Sequence, residues 1–140
     1  MSDEDAFSQA VSAICGRDQR YDADAYFFLK EGMAKAVEQV AKAEGKQRHL
    51  TGQELSLGLR DHALGEFGPM AMTVMASWGI TKTEDFGNMV YSLIDAGVFT
   101  KTGADSHQDF ADVFDFTETF VLPYLPESLK PALRKKEKKP

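Results

Sequence analysis

The chain has one cysteine, Cys15, three histidines and no long apolar run. A single thiol cannot close an internal disulfide, so a disulfide framework is excluded. No stretch of roughly 18 consecutive apolar residues occurs, and no apolar segment has the flanks of a secretory leader. A cytoplasmic protein with no membrane contact is the resulting expectation. Catalytic signatures are missing as well: the serines lack the Gly-x-Ser-x-Gly elbow, and the glycines form neither a phosphate loop nor a dinucleotide fingerprint. The sequence contains no internal repeat, and its only biased block is a basic C-terminal end.

What is present fits one small domain. At 140 residues the chain can bury a core without a structural metal. Its net charge of −6 is unevenly spread. Lys130, Arg134, Lys135, Lys136, Lys138 and Lys139 stand against Glu137 alone, leaving residues 1–129 with 10 basic and 21 acidic side chains. An acidic body repels phosphate while the tail attracts it, so any polyanion contact belongs to those six cations. The expected organisation is a mostly helical domain over 1–129 and a solvated, disordered tail over 130–140.

Hydrophobic spacing predicts five helices. Ser2 and the acids after it start the first, whose stripe of Phe7, Ala10, Val11 and Ile14 ends at Gly16. Tyr26, Leu29, Met33, Val37, Val40 and Ala41 place a second over 24–44, stopped by Gly45. Thr51 and Glu54 have capping-box spacing, with Leu50 and Leu55 at the staple positions, opening a third that runs to about Glu66. Pro69 suits the first turn of a fourth, with Met70, Val74, Met75 and Trp78 on its apolar face. A fifth, capped by Thr83, carries Phe86, Met89, Val90, Leu93 and Ile94 before Gly97.

Beyond Gly97 the pattern changes. Residues 98–102 are rich in β-branched and aromatic types, 103–106 are turn-like, and 110–116 could return as a second strand, which predicts a small β-hairpin. Phe116 and Val121 would staple a brief helix capped by Thr117 and broken by Pro123 and Pro126. The expected class is therefore mainly α with some β (α+β), in a winged-helix-like arrangement with 69–78 and 83–96 as a helix-turn-helix pair. As a DNA reader that pair is poor: its second helix offers Glu84, Asp85 and Asp95, with Asn88 as the lone suitable side chain. Sequence-specific DNA binding is not expected.

The reactive residues do not converge in the sequence. Asp105, His107, Asp109, Asp112 and Asp115 offer oxygen ligands and an imidazole, but an EF-hand counted from Asp105 would place Phe110 and Phe116 where Gly and Glu belong. His49 and His62 lack the two-histidine zinc helix, so packing or capping is the simpler role. Cys15 follows Ile14 on an apolar face, as a small buried hydrophobe would. Glu84 and Asp85 sit where a helix dipole favours acid. No catalytic residue, metal ligand or cofactor is assigned.

The blocks His49-Leu50-Thr51-Gly52-Gln53-Glu54-Leu55, Phe67-Gly68-Pro69-Met70-Ala71, Ser77-Trp78-Gly79-Ile80, Thr83-Glu84-Asp85-Phe86-Gly87 and Ala96-Gly97 stand in fixed order. In these the chain resembles the small bacterial Minf-type family of uncharacterised proteins, from about Arg20 to Phe116. The resemblance implies a single intracellular domain and carries over no reaction, cofactor or catalytic residue. The basic extension lies outside it.

Strong local specification without convergent reactive groups points to a non-enzymatic cytoplasmic protein-interaction domain. Met72 falls off the main face of its helix and Phe114 alternates with Val113, so Met72, Trp78 and Phe114 are the candidate surface for a partner or a second copy. Two alternatives stand beside this: nucleic-acid association through the tail without sequence preference, and an enzyme whose site, drawn from His49, His62 and scattered carboxylates, assembles only in three dimensions.

Overall fold

The computed structural model describes residues 3–99 and 107–129. It contains α1 (Asp3–Arg17), α2 (Ala23–Glu44), α3 (Gly52–Phe67), α4 (Ala71–Ser77) and α5 (Thr83–Asp95). Short 3-10 turns occupy Gly68–Met70, His107–Phe110 and Leu122–Tyr124, and a π-helical turn spans Thr117–Val121.

The helix boundaries follow from identifiable chemistry. Asp22 accepts the Asp24 amide at 2.9 Å to start α2, and Gly45 ends it in a left-handed conformation. The Glu54 amide donates to the Thr51 hydroxyl at 3.1 Å and the Thr51 amide to Glu54 Oε1 at 3.0 Å, completing the predicted box at the head of α3. Pro69 lies in the 3-10 turn that leads into α4. Gly79 then reverses the chain at φ 91°, and any side chain there would run into the Arg20 carbonyl oxygen. The segment between α1 and α2 lies against this turn, and the Asp22 amide donates to Trp78 O at 3.1 Å.

Buried residues from all five helices form one cluster, including Ile14, Leu29, Leu59, Met75, Phe86 and Leu93. Helices α2 and α3 make the most extensive pair. The junction with α5 is polar and buried: Asp85 accepts the Tyr21 hydroxyl at 2.5 Å and the amides of Thr81 and Lys82 at 2.9 and 3.2 Å, while Asn88 donates to the Tyr21 oxygen at 3.0 Å. Lys82 is the N-cap of α5 and Thr81 precedes it, so Asp85, at the third helical position, reaches back to hold the chain that enters the helix. Thr83, the expected cap, instead lies in the first turn.

The expected β-hairpin is not formed. No strand occurs among the described residues, so the α+β class and the winged-helix analogy give way to a mainly helical fold. Val98 and Phe99 turn back onto α5, their amides both donating to Leu93 O, and residues 100–106 lie outside the described part. The 110–116 segment fails as a strand because its aromatics are spent as separate core anchors: Phe110 and Phe116 are buried and Phe114 packs beside them. Its backbone finds a side chain in place of a partner strand. The Thr83 hydroxyl donates to Phe110 O at 2.6 Å and accepts the Val113 amide at 3.1 Å. Alternation of aromatic and polar residues thus reflects a chain crossing helix ends rather than a pleat.

Candidate functional site

The three aromatic and methionine candidates pack on the core. Met72, Trp78 and Phe114 are each half-buried against it. The Trp78 ring meets Phe28 at 5.4 Å and Phe67 edge-on at 5.7 Å. Phe114 stacks on Phe116 at 5.4 Å and meets Phe120 edge-on at 5.7 Å. Lys130, Arg134, Lys135, Lys136, Lys138 and Lys139, the predicted polyanion contacts, lie outside the described residues, as do Ser2 and Asp105.

The larger concavity lies elsewhere, in a groove of about 790 Å³ between α2 and α5. Met33, Ala34 and Val37 of α2 form one wall, Val90, Tyr91 and Ile94 of α5 the other, and Leu50, Leu55 and Phe110 contribute apolar surface between them. Val98 and Phe99 extend the α5 side. Polar groups enter from the α2 side and the linker: Lys30, Gln47, Arg48 and His49. Helical spacing puts Lys30, Ala34 and Val37 on one face of α2, of which only Val37 belongs to the apolar stripe read from the sequence.

The groove's cations are engaged within the protein. The Arg48 guanidinium makes paired bonds to Glu44 at 2.7 and 2.8 Å and to Glu54 at 2.9 and 2.7 Å, tying the end of α2 to the start of α3. Arg48, joined by the Thr51 amide, pulls the Glu54 carboxyl down to about 2. The Lys30 ammonium lies 4.6 Å from the centre of the Phe7 ring.

His49 and His62 line different hollows. His49 is exposed at the groove, whereas His62 is buried on α3 and stacked on Phe28 at 5.0 Å. Burial first, and then the Lys35 charge, lowers the His62 pKa, which disfavours the charged ring. His107 stacks on Tyr91 at 4.1 Å, and among the described residues it does not join Asp109, Asp112 and Asp115 in a donor set. Cys15 is half-buried, its thiol 3.8 Å from Tyr21 O and pushed up chiefly by burial, which disfavours a reactive thiolate. Glu84 and Asp85 occupy the first turn of α5, where Asp85 serves structure.

What the sequence did not disclose is the meeting of α2 and α3 around His62. Glu31 and His62 are far apart in the chain, and only the packing of the two helices brings them together.

No family model, curated protein or solved structure matches this chain. No helix among the described residues is long and apolar enough to cross a membrane.

Proposed function

We propose that the protein is a non-enzymatic interaction domain whose α2–α5 groove receives the apolar face of an amphipathic helix from a partner protein. The observation that supports this is the chemistry of the groove wall. It is apolar along both helices, and its strongest polar group, Arg48, is already satisfied by two carboxylates. A small polar metabolite needs several convergent hydrogen-bonding groups to orient it. A helix needs only a trough and anchors at successive turns, which two flanking helices provide. Lys30 at the α2 wall selects for an acid on the partner's flank, where it can exchange the Phe7 ring for a carboxylate.

The test is selection of displayed amphipathic helices on the full chain, followed by amide shift mapping of the winning peptide. Enriched sequences with apolar anchors at i, i+3 or i+4 and i+7, shifts centred on Met33, Val37, Val90 and Ile94, and loss of binding in Ile94→Glu are expected. Three outcomes contradict the reading: no helical consensus, shifts centred elsewhere, or undiminished binding by Ile94→Glu.

A further inference from the structure

Where α2 packs on α3, two residue pairs at i, i+4 spacing confront one another. Glu31 and Lys35 stand on α2, and His62 and Glu66 on α3. One donor atom each from Glu31, His62 and Glu66 lie within 4.8 Å of one another. His62 and Glu66 line a hollow of about 360 Å³ together with Gln39, Gly58, Asp61 and Gly65, so solvent reaches that side of the cluster. The close approach of the helices depends on Gly32, where a Cβ would strike Leu59 and press on the His62 ring.

His62 gives this cluster a direction. Its side chain is 5 % exposed, and among the described residues neither ring nitrogen makes a hydrogen bond. Nε2 instead points at Glu31 Oε1 from 3.6 Å, too far for a hydrogen bond. With its proton on Nδ1 the neutral ring presents an Nε2 lone pair towards the Glu31 carboxylate, an arrangement that a cation shared between the two can use. The cation present now is a poor one: Lys35 Nζ stands 3.6 Å from Glu31 and 3.8 Å from Glu66, with all three side chains about half exposed. Exposed ion pairs at such distances contribute little and exchange readily.

We infer that Glu31, His62 and Glu66 form a binding site for a divalent transition-metal ion of the zinc type, which displaces Lys35 from between the two carboxylates. One imidazole and two carboxylates match the borderline preference of Zn²⁺. Bonds of roughly 2.0–2.2 Å bring tetrahedral ligand atoms to within roughly 3.5 Å of one another, so the set must contract by about 1 Å. The contraction falls on Glu31 and Glu66, whose side chains are free to change rotamer, while stacking on Phe28 holds the imidazole in place. The coordination position facing the hollow remains available to water.

The test uses the full chain and Zn²⁺ alone, followed by calorimetry, with Co²⁺ absorption reporting the ligand field. Binding of one ion is expected. Glu31→Gln and Glu66→Gln should each weaken it by about ten-fold or more, since each deletes one of three protein ligands. Lys35→Ala should tighten it several-fold by removing the competing charge, an effect that no merely structural role for the lysine produces. These three positions are exposed, so the variants keep the fold, and their thermal unfolding without metal checks this. The inference is overturned by absence of Zn²⁺ binding, by binding that both Glu variants retain in full, or by binding that Lys35→Ala leaves unchanged or weakens.

Discussion

The Tyr21 hydroxyl donates to Asp85 Oδ1 across 2.5 Å, joining the α1–α2 linker to α5 over a separation of 64 residues. Both groups are buried, so the bond cannot be exchanged for water at no cost. Burial and the acceptor on Asp85 push the Tyr21 phenol far above its ordinary value. Tyr21→Phe leaves that carboxylate oxygen without its donor and should lower unfolding free energy by about 1–3 kcal/mol, read from urea titration. An unchanged midpoint would show that the amides of Thr81 and Lys82 suffice for Asp85.

Tyr26 provides the opposite case. It is fully buried, and its hydroxyl has no hydrogen-bond partner among the described residues. Removing an unsatisfied buried hydroxyl relieves a desolvation cost, so Tyr26→Phe should be neutral or stabilising where Tyr21→Phe is damaging. Burial also pushes the Tyr26 phenol up to about 12. With the folded-state pKa above the unfolded value of 10.0, both states keep the proton below pH 10, and the unfolded chain ionises first as pH rises towards 12, so stability falls over that window. Alkaline denaturation should therefore be shallower in Tyr26→Phe, and parallel curves would refute this assignment.

Acid conditions probe the head of α3. Thr51→Ala removes an N-cap and should cost about 1 kcal/mol in chemical denaturation. Glu54 titrates at about 2 in the folded protein against an ordinary value of 4.5, so its contribution is present above 4.5 and is lost as pH falls through about 2. The stability gap between the natural chain and Glu54→Gln should accordingly be full near neutrality and close over that acid window. A gap that does not depend on pH would mean the carboxylate charge plays no part.

Two glycines should respond in opposite ways. Gly79→Ala forces a Cβ into the Arg20 carbonyl at a positive φ and should cost more than about 2 kcal/mol. Gly65 lies within α3 with open space where a Cβ would be, and Gly65→Ala should raise stability by about 0.5–1 kcal/mol. Thermal melts of both variants decide the matter; a tolerated Gly79→Ala would mean the turn can rearrange.

Features confined to neighbouring residues were legible in the sequence. The Thr51–Glu54 box, the stop at Gly45 and the apolar stripe of α5 need only short-range spacing and form where expected, whereas on α2 the buried face runs through Ala25, Tyr26, Phe28, Leu29, Gly32 and Ala36 and leaves Met33, Val37, Val40 and Ala41 of the expected stripe half-buried. The strand expected at 110–116 fails because Phe110 and Phe116 enter the core separately and Thr83 ties down the chain between them. Asp85 was read as a dipole-favoured acid, which is correct locally, but its bond to Tyr21 depends on tertiary packing. The same holds for His62, whose surroundings come from another helix.

The Arg48 clamp bears on the order in which the molecule assembles. Glu44, Arg48, Thr51 and Glu54 are near neighbours in the chain, so the α2–α3 hairpin closes a short loop at small entropic cost. The link between Tyr21 and Asp85 has to wait for a much longer one. Contacts of the first kind are available to a folding nucleus and those of the second condense around it. Weakening the clamp should then slow refolding, while Tyr21→Phe should chiefly hasten unfolding, which makes the α2–α3 hairpin the scaffold on which α1 and α5 are laid down.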